Sequence, residues 1–475
     1  MKYSDLEPKK IFSYFKQLSD IPRGSGNERA AAIFVADVAK KLSLDVKVDD
    51  ANNVFIKAPA TLGYENHAPI MLQGHLDMVC EANKGTEHDF LNDPIELVLD
   101  GDLLRANGTT LGADNGVAVA IMLAVLDSDI PHPAIECLFT TEEETGLNGM
   151  RSFNHDWASA RRLVNLDSAG EGEATVSCAG GVRSDICFKA EQLLIDGYEG
   201  ICIEISGLAG GHSGEDINLG RQSAISVMAR LLYSASHAEF RINEIFGGNR
   251  DNAIARECSA KIVTKNKRTL IDALRLEEEK IRSELVIDDK DFKLTVSEIA
   301  CDAAISSEKT VQLVTLLRNL PHGVHGMSRQ VLGLVETSSN LAVIRQESDG
   351  WSITVSSRSS VETKLDDMQA RVECAAIASG AVATHRSRYP GWEYLEGSPL
   401  QKLYLDTYNE VFGAEARIIG IHAGLECGLL KGKLPDMDII SIGPDIRNLH
   451  SPDEVLSVSS FVRMWDLVCA ILKNA

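Results

Sequence analysis

What the sequence lacks narrows it first. The ten cysteines, at 80, 137, 178, 187, 202, 258, 301, 374, 427 and 469, contain no CxxC pair, which argues against a cysteine zinc site and against a disulfide framework. They read as free, buried thiols in a reducing compartment. Only 13 of 475 residues are proline, and no bias of a disordered, collagenous or repeat chain is present. No uncharged run approaches the roughly 18 residues of a membrane span, and MKYSDLEPKKIFSYFKQLSD at the N-terminus has no apolar stretch behind its lysines. A soluble, unexported, cytoplasmic protein without a membrane partner is expected. Positive charge is in deficit: 47 basic against 69 acidic residues leave a net charge of -22, which opposes phosphate backbones and excludes nucleic acid as the expected partner. GxSxG is missing too, so nothing calls for a serine nucleophile.

What is present reads as an α/β chain. Apolar residues at helical spacing in 9–18 and 29–42 alternate with β-rich runs around Val46, Val54–Ile56 and Pro69–Leu72. Asn115–Leu126 reads as a helix, Ile135–Phe139 and Arg162–Asn165 as buried strands, and Met437–Ile442 with Asp453–Leu472 as a last strand and helix. Between about 190 and 395 the rhythm changes. Strands are expected at 201–206, 254–264, 292–299, 333–347 and 351–357, with helices at 217–235 and 268–285. The expected architecture is a discontinuous catalytic lobe, 1–190 and 396–475, with a mixed, largely parallel sheet flanked by helices. Residues 191–395 form an inserted α+β lobe with antiparallel sheet.

Acidic and histidine residues recur just past strand ends, where open α/β sheets place their ligand sites. In PIMLQGHLDMV, His75 and Asp77 point to one face of an extended segment. Asp114 in LGADNG opens an apolar helix and alone reads as its N-cap. Glu142, Glu143 and Glu144 follow a buried strand, and three carboxylates there are costly to desolvate without a cation. Asp167 follows RLVNL, and His450 precedes SPDE, a helix-start signal. Singly each is an ordinary turn or cap. Together they supply mixed nitrogen and oxygen ligands suited to two zinc-class ions.

The ordered set GHLDMV, LGADNG, EEETG, NLDSAG and LHSPDE resembles the dizinc peptidases related to carboxypeptidase G and aminoacylase. AGGHSGEDI, GGNRDNAIA and GIHAGLECG resemble, more closely, the aminoacyl-histidine dipeptidase branch, the cytosol non-specific dipeptidases or peptidase D. The likeness covers essentially the whole chain. It implies hydrolysis of unblocked dipeptides, aminoacyl-histidine among them, through a dimetal-activated water and a glutamate general base. Asp114 would bridge two divalent ions, zinc with cobalt or manganese able to substitute. His75 and Asp167 would complete one site, and Glu144 and His450 the other. Glu143 would be the base and Asp77 the carboxylate behind His75, a register chosen because the family pattern places Gly two residues after Glu-Glu. From the inserted lobe, His212 would donate to the developing oxyanion, Asn252 and Arg358 would hold the substrate carbonyl and carboxylate, and His422 would touch substrate. Small peptides are the implied partners, and a homodimer is compatible. An N-acyl amino acid deacylase or tripeptide aminopeptidase would share every metal ligand, and a silent peptide binder or a metal buffer stays open at this point.

Overall fold

Helical spacing in the first forty residues is realised as α1 (Lys9–Ser19) and α2 (Arg29–Lys41), which bury Ile11, Phe12, Phe15 and Leu18 on the first and Ala31, Ala32, Val35 and Ala39 on the second. The computed structural model describes residues 2–475. Contacts divide them into two units. One runs up to Cys178 and resumes at Trp392–Gly420 and Leu425–Ala475; the other is Ala179–Gly391 with Ile421–Gly424.

In the first unit, strands β1 (Asp45–Val48), β2 (Val54–Ala58) and β3 (Ile70–His75) precede α3 (Ala113–Leu126), which is followed by β4 (Ile135–Thr140), β5 (Arg162–Asn165) and β6 (Glu173–Cys178). The second unit contributes β7 (Gly180–Lys189), β8 (Glu199–Ser206), α4 (Ala224–Ser234), β9 (Phe240–Gly247), β10 (Cys258–Thr264), α5 (Lys267–Glu284) and β11 (Lys293–Ile299). It continues with α6 (Ser307–Asn319), β12 (Val335–Glu347), β13 (Gly350–Ser359), α7 (Glu362–Ala378) and β14 (Val382–Tyr389). The chain then supplies α8 (Pro399–Phe412), β15 (Arg417–Ile421), α9 (Glu426–Lys433), β16 (Asp438–Ser441) and α10 (Val458–Asn474).

The first unit's sheet has the order β1-β2-β4-β3-β5-β16-β6-β15. Its centre, β4-β3-β5-β16, is parallel, and β1-β2, β2-β4 and β16-β6 are antiparallel. Strands β3 and β4 are buried throughout, as parallel strands covered on both faces must be.

The second unit's main sheet is antiparallel, in the order β11-β8-β10-β9-β12-β13-β7-β14, with the short strand Gly323–Met327 pairing with β12 off this path. The unit contains the same βαββαβ plan twice. One copy is β8-α4-β9-β10-α5-β11; the other begins with β7, is interrupted by the entire first copy, and resumes at α6-β12-β13-α7-β14. The copies meet through their second strands at the Gly247–Ile344 pairing. A single apolar cluster joins Met228, Leu274, Leu313 and Val372, one from each helix, to Ile203, Ile262 and Ile353 of the sheet.

Several expected boundaries move. The second unit begins at Ala179 rather than 191 because β7 pairs with β13 along its whole length, from Gly180–Ser359 to Lys189–Gly350. The helix expected at 217–235 starts at Ala224, since Gly220 at φ +71° interrupts it, and the strand expected from 254 starts at Cys258. The last helix begins at Val458, not Asp453. Of the ten free cysteines, 137, 178, 258 and 427 are buried but 80, 187 and 374 are exposed. Among the described residues no helix is long and apolar enough to cross a membrane.

Candidate metal centre

The parallel register sets the site. His75 lies opposite Thr140, and Gln73 opposite Asn165, so the carboxyl ends of β3, β4 and β5 present His75, the 142–144 turn and Asp167 along one edge. Helix α3 starts beside them because Gly74 lets it approach: a Cβ there would lie 2.5 Å from the Cβ of Ala118 and would overlap Asn115 Oδ1. Asn115 uses that contact, accepting from the His75 amide at 3.2 Å and donating to Leu166 O at 2.8 Å.

Asp114 faces two histidines with its two oxygens. Its Oδ1 is 3.0 Å from His75 Nε2, and its Oδ2 is 3.2 Å from His450 Nε2. Asp167 Oδ1 approaches His75 Nε2 at 3.4 Å, and Glu144 Oε1 approaches His450 Nε2 at 3.0 Å. One ligand atom from each of His75, Asp114 and Glu144 falls within 4.8 Å of the others. Glu144 Oε1 is closed to solvent and has the His450 ring nitrogen in ion-pair range but no aligned hydrogen bond, an acceptor of the kind a bound cation satisfies. The donor set therefore fits two divalent ions.

The turn after β4 is held by its amides. Glu142 N donates to Glu28 Oε1 at 3.0 Å, while Glu143 N and Glu144 N donate to Asp77 Oδ1 and Oδ2 at 3.1 and 3.2 Å. Asp77 also accepts from Ser25 Oγ at 2.8 Å and lies 3.2 Å from His75 Nδ1, in ion-pair range but not aligned as a hydrogen bond. Burial opposes its charge, but His75, Ser25 and the Glu143 amide outweigh burial and hold the carboxyl down at about 2. It stays ionised behind the histidine. Burial, with Asp167, Glu426 and Glu144 adding like charge against the pull of His75, pushes Glu143 well above the ordinary carboxylate range. Asp167 is pushed up to about 7, by burial first and by Asp114 and Glu144 as well, with His75 opposing. His450 rises to about 10, pulled up by the Asp114 and Glu144 carboxylates that face its Nε2.

Sequence reasoning missed the supports. Arg23, buried, donates to Leu76 O and Asp77 O at 2.9 Å each and to Gly112 O, tying the His75–Asp77 turn to the Asp114 loop. No local pattern marks it. Glu426 lies fully buried, accepting from Gln73 Nε2 at 2.5 Å and Thr140 Oγ1 at 2.6 Å, and burial raises it to about 8. Glu454 did carry a signal, the SPDE helix start, but the helix it serves is α3.

His212, Asn252, Arg358 and His422 all fall in the second unit. His212 Nδ1 accepts from Glu215 N at 3.1 Å, so in the neutral ring the proton sits on Nε2. Burial, then Arg358, lowers its pKa and favours that neutral form. The pairing of Gly211–His212 with Ala253–Ile254 sets Asn252 beside it, and Asn340 Nδ2 holds Ala253 O at 2.8 Å. Arg358 Nη1 donates to Tyr389 Oη at 3.2 Å, and His422 Nε2 meets Ser338 Oγ at 2.7 Å. Arg358 Nε and His422 Nδ1 are buried without partners. Tyr389 and Ser338 were not anticipated from the sequence.

Residues 71–474 match the peptidase family M20/M25/M40. The chain belongs to this family. This M20/M25/M40 peptidase is 37% identical over 480 residues to the cytosol non-specific dipeptidase of Escherichia coli strain K12, an alignment spanning 99% of this chain and 98% of that one. The crystal structure of aminoacylhistidine dipeptidase from Vibrio alginolyticus superposes with a TM-score of 0.95 at 36% identity, covering 100% of this peptidase and 98% of that chain. Aminopeptidase PepT from Bacillus cereus ATCC 10987, at 16% identity, TM-score 0.57 and 99% coverage of both chains, shares the fold.

Proposed function

We propose that this peptidase is a cytoplasmic dipeptidase that hydrolyses unblocked dipeptides, aminoacyl-histidine dipeptides included, with two divalent ions, zinc foremost. The observation that carries the reading is Asp114, whose two oxygens each address a different histidine, the disposition a bridging ligand requires. The names and full-length likeness of the Escherichia coli and Vibrio alginolyticus enzymes support the substrate class. His75, Asp114 and Asp167 would hold one ion, and Asp114, Glu144 and His450 the other. When bound, such ions supply Lewis acidity to the scissile carbonyl and bring a water's pKa toward neutrality.

The chain's own residues do the rest. Glu143, next in sequence to the ligand Glu144 but hydrogen-bonded to nothing through its own carboxylate among the described residues, takes the water's proton and returns it to the leaving amine. Asp77 keeps His75 oriented and fixes the Glu143 and Glu144 amides. His212 offers its Nε2–H to the carbonyl oxygen as charge develops, with Asn252 beside it. Arg358 and His422, each with an unpaired buried nitrogen, take the substrate carboxylate. Metal analysis of the purified protein, with a panel of free dipeptides set against N-acetylated amino acids and tripeptides, tests the reading. Two ions per chain and turnover confined to free dipeptides are expected; preference for the acetylated arm would make it a deacylase.

A further inference from the structure

Asp114 opens α3, yet its carboxylate does not cap the helix. A residue far along the chain does so instead. Glu454 is buried, and its Oε2 accepts from Leu111 N at 2.8 Å and Gly112 N at 2.9 Å, while its Oε1 accepts from Ala113 N at 2.9 Å and Asp114 N at 3.2 Å. Four consecutive amides at a helix start thus converge on one carboxylate, and the side chain of Asp114 is released from the role its position would otherwise give it. Arg23 donates to Gly112 O. Gly112 sits at φ +67° with no room for a Cβ beside Arg23 Nη2 and Met78 Sδ, and is held by Glu454 at its amide and by Arg23 at its carbonyl.

Glu454 also belongs to the loop that carries His450. Residues 448–454 are closed by the Ile446–Leu456 and Arg447–Val455 pairs, and Leu456 pairs with Leu104 of the neighbouring hairpin. Within the loop Glu454 N donates to Ser451 O at 3.0 Å, and Ser451 Oγ to Asn448 O at 2.8 Å. His450 itself holds a left-handed φ of +59°. Docking Glu454 on the start of α3 therefore fixes two things at once, the backbone of Asp114 and the approach of His450 to its Oδ2.

We propose that Glu454 is a positioning residue that holds Asp114 and His450 in register, so that the second ion is bound tightly only when this carboxylate is seated. The proposal rests on the dimetal reading above. Its probe is cobalt(II) titrated into metal-free protein, read by ion stoichiometry and visible absorption. Glu454→Gln cannot accept four amides and should keep the first ion but bind the second more weakly by roughly 10–100-fold, with an altered spectrum, the scale seen when a ligand's outer partner is lost. Glu454→Asp, which retains charge but falls short of the helix, should show the same selective loss if the glutamine variant does not fold. Glu136→Gln is the control. Glu136 is an equally buried carboxylate that accepts Ser159 N and Ala160 N away from the site, so its loss should lower the melting temperature and leave both ions unchanged. Wild-type cobalt affinity and spectrum in a folded Glu454 variant, or an equal loss in the control, overturns the proposal. A wild-type chain that takes up fewer than two ions overturns the dimetal reading itself, and this inference with it.

Discussion

Two neighbouring glutamates receive different surroundings, and at the scale of single residues that difference is the sharpest test available. Glu144 Oε1 stands 3.0 Å from His450 Nε2, whereas Glu143 makes no such contact. Glu143→Gln should retain both ions and lose about 10²-fold or more in kcat, the lower range for a missing general base. Glu144→Gln should lose metal first. Exchanged phenotypes would place the register one residue off. His212→Ala should leave metal content unchanged and lower kcat by roughly 10²–10³-fold, as for removal of one oxyanion donor; an unaltered kcat would remove it from the reaction. Glu143, Glu144 and His450 stood out in the sequence because each lies by a strand end or helix start in a fixed order, whereas His212, in a glycine-rich loop, was marked only by the family resemblance. Arg23 was not, since a buried arginine that binds three backbone carbonyls leaves no mark in neighbouring residues.

At the scale of elements, the spacing of β3 and α3 decides whether His75 and Asp114, the proposed ligands, meet. Gly74 has no space for a methyl group, so Gly74→Ala should cost about 1–3 kcal/mol in denaturant unfolding, the range for overpacking, and should reduce metal uptake by displacing Asn115. An unchanged midpoint and unchanged uptake would mean that the helix yields freely. A short buried run ending in a turn signal made β5 readable to the residue, and helical spacing made α1 readable to within one. SPDE misled because capping chemistry announces that a helix start is near in space, while the sequence shows only what is near along the chain. The same limit hid the 421–424 excursion into the second unit, which Ala423 joins through Ala179 N at 2.9 Å.

For the whole molecule, chelation should abolish turnover, and zinc, cobalt or manganese should restore it, because histidine and carboxylate ligands discriminate weakly among these ions. Chelator-resistant hydrolysis by metal-free protein would end the metallopeptidase mechanism. Mixing His212→Ala with Glu143→Gln protein then asks whether the imidazole serves its own chain: activity recovered on mixing would mean it acts across a dimer, and none recovered would mean it does not.

The nesting of one βαββαβ copy inside the other has a consequence for the newborn chain. Strand β7 ends at Lys189, yet its partners β13 and β14 begin at Gly350 and Val382. At roughly 5–20 residues per second of synthesis, β7 waits on the order of ten to forty seconds with Val182, Ile186 and Phe188 uncovered, while the copy from Glu199 to Ile299 is already complete. Refolding should keep the same order, because the contiguous copy closes shorter loops. Pulsed hydrogen exchange is expected to protect β8–β11 before β7, β13 and β14, and simultaneous protection would show that the two copies fold as one. Until its partners arrive, β7 is an unpaired strand with one apolar face, and the stretch of synthesis between Lys189 and Tyr389 is when this chain most needs a chaperone.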